Sequence, residues 1–207
     1  MKQLQIGILA VQGDIEENLS ATNLALKELG VEGKAVAVKY ADEIGKVDGL
    51  ILPGGESTVI GMLTKLSGAT QVIKDRIDDG MPVLGTCAGM IMLAKRAYDK
   101  VVGETKQQLL NVLDIVVERN AFGRQNDSFE ADLIIKMIGN ESFKGVFIRA
   151  PVVTETGKGV DVVTTLDSKI VAVKQGNVIG TAFHPELSGD TRLHRYFVQL
   201  VAEYKST

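Results

Sequence analysis

Cys87, the chain's single cysteine, lies in the segment GTCAG, with a glycine two residues away on each side. The apolar segment Met81–Thr86 precedes it, and a helical pattern over Ala88–Arg96 follows it. A nucleophile between two such glycines, at a sharp strand-to-helix turn, is typical of a nucleophile elbow. The helix N-terminus also favours the thiolate, which is the attacking form. We therefore predict a nucleophilic cysteine, and the alternative is a buried cysteine that packs as a small hydrophobic residue.

A nucleophilic thiol needs a base, and His184 is the better placed of the two histidines. It follows the apolar run Val178–Phe183 and begins the sequence His-Pro-Glu. Residues two apart in an extended backbone lie on the same side, so we expect Glu186 to orient the imidazole. The alternative is a turn at the end of a strand with a surface carboxylate.

The other histidine, His194, lies between Arg192 and Arg195 in the last helical pattern of the chain, which covers Arg192–Tyr204. That pattern is amphipathic, and two neighbouring arginines are typical of its polar face. We therefore expect the His194 side chain to be solvated and to have no part in the chemistry.

Two adjacent glycines follow a third apolar segment, in the sequence LILPGGEST from Leu50 to Thr58. Glycine permits backbone amides to turn toward a ligand. We expect the amides of Gly54 and Gly55, together with that of Ala88, to form an oxyanion hole. A phosphate-binding loop is the competing function, although the segment lacks both GxGxxG and the lysine of GxxxxGK. A plain strand-to-helix turn is the simplest alternative.

Composition excludes several classes of protein. The 207 residues are expected to form one domain, 1–207, and carry a net charge of −3, with 23 Lys and Arg dispersed along the chain, so we expect no nucleic-acid partner. One cysteine excludes an internal disulfide, and with two histidines it leaves too few ligands for structural zinc, so we predict no metal site. No apolar run approaches the ~20 residues that span a bilayer, and no targeting segment is visible. We expect a cytoplasmic protein without a membrane partner.

The pattern of apolar segments predicts an α/β fold. Short apolar strands alternate with helices in the first half, which is typical of a mainly parallel sheet with helices on both faces. The predicted strands there are Leu4–Val11, Lys34–Tyr40, Asp48–Leu52 and Met81–Thr86. The second half is rich in strands, namely Val112–Glu118, Ala131–Ile138, Gly145–Ile148, Val160–Thr165, Ile170–Gln175 and Val178–Phe183. Gly176-Asn177 between two of them predicts a hairpin, so we expect antiparallel strands there. Residues 99–111 are expected to be loop.

Three motifs occur in the order PGGES, GTCAGM and FHPE, and together they resemble the class I, triad-type glutamine amidotransferases, which have a flavodoxin-like fold. Further segments are similar to the glutaminase subunits of pyridoxal 5′-phosphate synthases. These segments are AVQGDIEEN, VVERNAFGRQNDSFEADL (Val116–Leu133), VFIRAP (Val146–Pro151) and AFHPEL. The resemblance spans nearly the whole chain, and ERNxFGRQxDSFE is its most discriminating part.

The resemblance implies hydrolysis of L-glutamine to L-glutamate and ammonia, with Cys87 as nucleophile, His184 as base and acid, and Glu186 as its orienting group. It also implies a set of glutamine-binding residues, namely Gly55, Glu56, Ser57, Arg119, Ile148 and Arg149. An arginine can pair with the substrate carboxylate, which agrees with part of this set. Taken without the resemblance, each of the two arginines is better explained as a member of a surface ion pair.

The resemblance further implies a separate synthase subunit as partner in a hetero-oligomer, and no cofactor. Two other enzymes remain as alternatives: the glutaminase subunit of a different amidotransferase, for example one serving imidazole glycerol phosphate synthesis, and a cysteine hydrolase of the related peptidase-like superfamily. A regulatory subunit that binds glutamine or the synthase without turnover is an alternative from another class. The Val116–Leu133 run argues against the two enzymes, and the intact set of Cys87, His184 and Glu186 argues against the regulatory subunit.

Overall fold

The computed structural model describes residues 3–123 and 127–206. Arg124, Gln125 and Asn126, which belong to the discriminating Val116–Leu133 run, lie outside the described residues. The strands are, in chain order, β1 (Leu4–Leu9), β2 (Gly33–Val38), β3 (Gly49–Leu52), β4 (Val83–Thr86), β5 (Ala94–Asp99), β6 (Gly103–Glu104), β7 (Leu113–Arg119), β8 (Ser128–Ile134), β9 (Ser142–Ile148), β10 (Val152–Thr156), β11 (Asp161–Leu166), β12 (Lys169–Gln175) and β13 (Val178–Thr181). The helices are α1 (Ile15–Leu29), α2 (Ala41–Ile44), α3 (Ser57–Leu66), α4 (Ala69–Asp78), α5 (Ala88–Leu93) and α6 (Arg192–Ser206), with 3₁₀ helices at Lys136–Ile138 and Pro185–Leu187.

Five strands form the parallel half of a central sheet, in the order β2-β1-β3-β4-β13. Successive side chains of a strand point to opposite faces, and the core divides accordingly. Ile51 packs on the face covered by α1 and α6, whereas Leu50 and Leu52 pack on the face covered by α3, α4 and α5. The predicted α/β class, with helices on both faces of a mainly parallel sheet, is confirmed.

Beyond β13 the same sheet continues through β12, β10, β7, β5 and β6. The pairs β13–β12, β12–β10 and β10–β7 are antiparallel, whereas β5 pairs with β7 in parallel. The predicted hairpin joins β12 to β13, with Gly176 at φ +57°. Strands β8 and β9 form a separate two-stranded antiparallel sheet. The prediction of antiparallel strands in the second half is therefore confirmed.

Several local predictions are wrong. The helix predicted over Ala88–Arg96 ends at Leu93, because the next residues join the sheet as β5 and pair with β7. The lysine and arginine of this stretch favour a helix, but pairing within the sheet outweighs so weak a preference. Strand β10 (Val152–Thr156) was not predicted, and residues 136–138 form a 3₁₀ helix instead of the end of a strand. The stretch 99–111, predicted to be loop, contains the short strand β6, which pairs with β5.

The prediction for His194 is also wrong, because its side chain is completely buried. His194 shares one face of α6 with Phe197, Val198 and Val201, at the spacing of a core-facing stripe. The flanking arginines therefore do not mark the polar face at this position. No helix in the described part of the chain is long and apolar enough to cross a membrane.

Candidate active site

Cys87 lies at the point where β4 ends and α5 begins, in a backbone conformation with φ +48° that L-residues rarely adopt. Its backbone N–H donates to the carbonyl of Thr181 on the neighbouring strand (2.7 Å). The two flanking glycines are required by close packing. A Cβ on Gly89 would lie 2.0 Å from the carbonyl oxygen of Leu52, and one on Gly85 would lie 2.6 Å from the carbonyl carbon of Gly89. The predicted elbow is thus present in the structure.

His184 follows β13, the strand next to β4, and its backbone N–H donates to the carbonyl of Val146 (2.8 Å). Its Nδ1 lies 2.8 Å from Oε1 of Glu186 and 3.1 Å from Oδ2 of Asp14. Ionised carboxylates only accept hydrogen bonds, so these two contacts favour a ring with the proton on Nδ1. The other ring nitrogen is then the one that serves Cys87, whose thiol is a hydrogen-bond partner of the imidazole.

The contact between His184 and Glu186 was predicted, but the backbone that produces it differs from the prediction. Pro185 begins a 3₁₀ helix over 185–187, so Glu186 is not part of an extended segment. The side chain of Glu186 is fully buried, and its second oxygen, Oε2, has no hydrogen-bond partner among the described residues. Burial raises the pKa of Glu186, and contact with His184 opposes that rise.

Burial by itself lowers the pKa of His184, because it disfavours the charged ring. Hydrogen bonds to Asp14, Cys87 and Glu186 outweigh the burial, so that the pKa is raised well above its ordinary value of 6.5. The surroundings of the ring therefore favour the imidazolium. A ring that is readily protonated is suited to accept a proton from a thiol and to hold it near a reacting group.

Asp14, His184 and Glu186 also bring two carboxylates and an imidazole nitrogen together, as a metal site would. Two ligands bound to one zinc ion at ~2.1 Å in tetrahedral geometry stand ~3.4 Å apart. The 2.8 Å between His184 Nδ1 and Glu186 Oε1 is shorter than that and is a hydrogen-bond distance. The spacing of this cluster therefore fits a shared proton better than a metal ion.

Gly54 packs directly against the imidazole. A Cβ at this position would lie 2.3 Å from Cε1 of His184 and 2.6 Å from Oδ2 of Asp14. The carbonyl of Gly54 accepts a hydrogen bond from the backbone N–H of Asp14 (3.1 Å), and a Cβ on Gly13 would lie 1.8 Å from that same oxygen. The turn after β1 and the turn after β3 are therefore in backbone contact beside the histidine.

Gly55 has φ +149°, in the region that favours glycine. Its Cα is covered by Gln12, whose side-chain Oε1 accepts the backbone N–H of Glu56 (2.9 Å). In a trans peptide the C=O and the N–H point in opposite directions. The C=O of the Gly54–Gly55 peptide points to Asp14, so the segment has a defined conformation in which the N–H of that peptide, on Gly55, is directed away from Asp14.

A cavity of about 250 Å³ opens over the thiol. This volume is below the range of drug-sized ligands and suits a small molecule such as one amino acid. Its lining includes Cys87, His184, Ala88 and all six predicted glutamine-binding residues: Gly55, Glu56, Ser57, Arg119, Ile148 and Arg149. Gly54, which was predicted to contribute an oxyanion-hole amide, is not among the lining residues.

Arg119 is held in place by neighbouring side chains at the edge of this cavity. Its guanidinium donates to Oε1 of Glu56 (2.9 Å) and to Oε1 of Gln107 (3.2 Å). Gln107 also accepts from the hydroxyl of Ser57 (3.3 Å). Arg149 has φ +43°, and its backbone N–H donates to the carbonyl of Asp127 (2.6 Å). Two cations, Arg119 and Arg149, and two carboxylates, Glu56 and Asp14, therefore line a cavity that ends at a thiol.

Five residues around this cavity were not predicted as site residues: Gln12, Asp14, Ile91, Gln107 and Asn120. Gln12 and Asp14 follow β1 in the QGD sequence, and their position at the carboxyl end of a parallel strand is the signal for a place at the rim of the site. Asn120 follows Arg119 directly. Gln107 lies in a polar stretch without periodicity, where no pattern marks it.

The fold and these residues define an enzyme class. A model of the SNO glutamine amidotransferase family matches residues 8–203, and the chain belongs to this family. A crystal structure described as a glutamine amidotransferase superposes with a TM-score of 0.83 at 45% identity, covering 95% of this chain and 98% of that one. A structure described as PurLQS from Thermotoga maritima, at 17% identity and a TM-score of 0.64, covers 99% of this chain and 100% of that one, and shows the same fold.

Within this class, two similar proteins carry the same name. The protein of Nitrosopumilus maritimus is 51% identical over 97% of this chain and 98% of its own length, and it is named "Pyridoxal 5'-phosphate synthase subunit PdxT". The protein of Archaeoglobus fulgidus is 47% identical over 95% of this chain and 98% of its own length, and it has the same name.

Proposed function

We propose that this chain is the glutaminase subunit of a pyridoxal 5′-phosphate synthase. It hydrolyses L-glutamine to L-glutamate and ammonia and passes the ammonia to a separate synthase subunit. The observation that carries the proposal is the convergence of Cys87, His184 and Glu186 on one small cavity lined by two arginines. Membership in the glutamine amidotransferase family and the names of the relatives support the reaction and the pathway.

The first half of the reaction begins with transfer of the Cys87 thiol proton to Nε2 of His184. The thiolate attacks the side-chain amide carbon of glutamine, and the carbonyl electrons move onto oxygen. The imidazolium then protonates the amide nitrogen as the C–N bond breaks, which releases ammonia and leaves a thioester on Cys87. Glu186 holds the ring so that Nε2 serves the sulfur in both proton transfers, through its 2.8 Å contact with Nδ1.

The negative oxygen of the tetrahedral intermediate needs hydrogen-bond donors. Ala88 lies directly after the nucleophile, and its amide is well placed to be one of them. Gly55 lines the same cavity and supplies the second amide, and Gly54 supports it by fixing the turn. Loss of one such donor typically costs ~10²–10³ in rate.

The second half returns the enzyme to its starting state. Neutral His184 removes a proton from a water molecule, which attacks the thioester carbon. The thiolate leaves, L-glutamate is released, and the proton on the imidazole returns to Cys87. No cofactor takes part in this scheme, and a water molecule is the second substrate.

Recognition of free glutamine requires partners for its carboxylate and its ammonium group. Arg119 and Arg149 supply positive charge at the cavity, and Glu56 supplies negative charge. A guanidinium binds a carboxylate through two parallel hydrogen bonds, which orients the substrate as well as holding it. Ser57 and Ile148 complete the wall close to the thiol, and the Ile148 carbonyl lies 3.7 Å from Sγ of Cys87.

We further propose that residues 1–207 form one glutaminase domain, that the chain works in the cytoplasm, and that it docks onto the synthase in a hetero-oligomer. A single cysteine, absent disulfides and a balanced surface charge support the compartment. Ammonia released into neutral water is mostly protonated and loses its nucleophilicity, so a sheltered path into a docked partner has a physical purpose.

The direct test is glutamate release by the purified chain with its synthase, comparing the native chain with Cys87→Ala. We expect Cys87→Ala to be inactive and to keep its fold, since the thiol contributes chemistry and little core volume. A glutamine-analogue electrophile should label the native chain at Cys87, and Cys87→Ala should remain unlabelled. Appreciable turnover by Cys87→Ala would contradict the nucleophile assignment. Absence of turnover by the native complex would favour the regulatory alternative.

A further inference from the structure

Asp14 occupies the N-cap position of α1, yet its carboxylate makes no capping hydrogen bond. An aspartate at this position usually accepts a backbone N–H of the first helical turn, which stabilises a helix by ~1 kcal/mol. Here the carboxylate is turned to the imidazole instead, with Oδ2 3.1 Å from Nδ1 of His184. The side chain thus forgoes its local interaction in favour of a distant one.

The backbone of Asp14 is fixed in this orientation from two sides. Its N–H donates to the carbonyl of Gly54 (3.1 Å), and its own carbonyl accepts the side-chain amide of Asn18 (2.8 Å). The absence of a side chain on Gly54 leaves the room in which the carboxylate and the ring meet, because a Cβ there would overlap both. The contact between Asp14 and His184 is therefore built by the two turns that border the ring.

We propose that Asp14 is a second carboxylate partner of His184 and a positioning residue for the reaction. This inference rests on the proposed function. Both carboxylates accept the Nδ1–H of the ring, Glu186 from the buried side and Asp14 from the rim of the cavity. With both in place, the ring is held with Nε2 toward Cys87, and the imidazolium formed in each half-reaction has two counter-charges.

The two carboxylates differ in their exposure to solvent. The side chain of Glu186 is 0% exposed and that of Asp14 is 36% exposed. The titratable groups that contact the imidazole are Asp14, Glu186 and Cys87, and the imidazolium is stabilised by all three. Asp14 is the one whose contact a molecule bound at the rim can change, because it lies on a turn at the carboxyl end of β1.

The test is an NMR titration of the histidine ring signals in the untagged full-length chain, which contains two histidines. Cys87→Ala serves as the background, so that the thiol contributes nothing to the titration. We expect Asp14→Asn in this background to lower the pKa of His184 by about half a unit or more. Glu17→Gln, which removes an exposed carboxylate from the same end of α1, is the matched control and should leave that pKa unchanged. An equal pKa in Asp14→Asn and the control overturns the proposal.

A kinetic measurement on the chain with intact Cys87 and its synthase separates positioning from substrate binding. We expect Asp14→Asn to lower kcat about threefold or more while KM for glutamine is unchanged. A change in KM alone would place Asp14 in substrate binding and overturn the proposal. The NMR result does not depend on turnover, so a failure of the proposed function and a failure of this inference are distinguishable.

Discussion

Replacing Glu186 with glutamine removes one negative charge from beside the histidine while keeping the size and shape of the side chain. The reaction passes through an imidazolium, and its charge centre lies ~4 Å from the carboxylate. At an effective dielectric constant of ~20, that pair contributes ~4 kcal/mol. The neutral amide oxygen still accepts the Nδ1–H and retains ~1 kcal/mol.

The remaining loss of ~3 kcal/mol corresponds to a fall of about 10² in kcat/KM, because each 1.36 kcal/mol is a factor of ten. In this variant Asp14, whose Oδ2 lies 3.1 Å from Nδ1 of His184, still provides one negative charge beside the imidazolium. In the double variant Asp14→Asn/Glu186→Gln, the fold decrease in kcat/KM should therefore exceed the product of the decreases in the two single variants. His184→Ala should be nearly as damaging as Cys87→Ala, since both proton transfers use the ring.

Steady-state glutamate release by the chain with its synthase measures these losses, and thermal unfolding of each variant confirms that the fold is retained. A folded Glu186→Gln variant within a factor of three of the native rate would refute the electrostatic reasoning. Multiplicative losses in the double variant would show that the two carboxylates act independently.

Three further predictions concern the glycine turn, the second histidine and the partner. Gly54→Ala should lower kcat by about 10² or more, because its Cβ would displace the His184 ring. Gly45→Ala is the control, since Gly45 has φ −61° and a Cβ there would lie 3.4 Å from its nearest neighbour, the carbonyl oxygen of Ala41. Equal activity of the two variants would contradict the packing argument. Burial lowers the pKa of His194 to about 4 from 6.5, so the unfolded chain binds a proton that the folded chain does not as the pH falls between these values. The free energy of unfolding measured in urea should therefore fall by up to ~3 kcal/mol as the pH is lowered through this range, and His194→Leu should abolish that fall. An unchanged pH dependence in His194→Leu would refute the assignment. The isolated chain should hydrolyse glutamine poorly and gain activity with its synthase, since a rotated peptide at Gly55 would remove one oxyanion donor; equal rates with and without the synthase would exclude such gating.

The parts of the site that were predictable from sequence are those where the backbone geometry that the chemistry needs also restricts the neighbouring residue types. The Cys87 elbow needs glycine at both flanks because Leu52 and Gly89 approach too closely for a Cβ, and that requirement is visible as a spacing. The first-half strands were predictable because burial on both faces produces continuous apolar runs.

The parts that were missed depend on contacts between distant segments. Gln107 reaches Arg119 from a polar loop whose composition carries no periodicity. His194 lies on the buried face of α6, although two neighbouring arginines indicated a polar face. The carboxylate of Asp14 is directed by the turn that contains Gly54, and no rule for helix caps predicts that an N-cap side chain turns away from its own helix.

The position of β13 in the sheet determines when a growing chain acquires its reaction centre. This strand is among the last to be synthesised, yet it pairs with β4 on one side and with β12 on the other. Before it is inserted, the parallel strands and the antiparallel strands are two unconnected pieces of sheet. The nucleophile is therefore made early and receives its base only when the two pieces are joined, so a ribosome-bound or incompletely folded chain has a thiol without a partner and consumes no substrate.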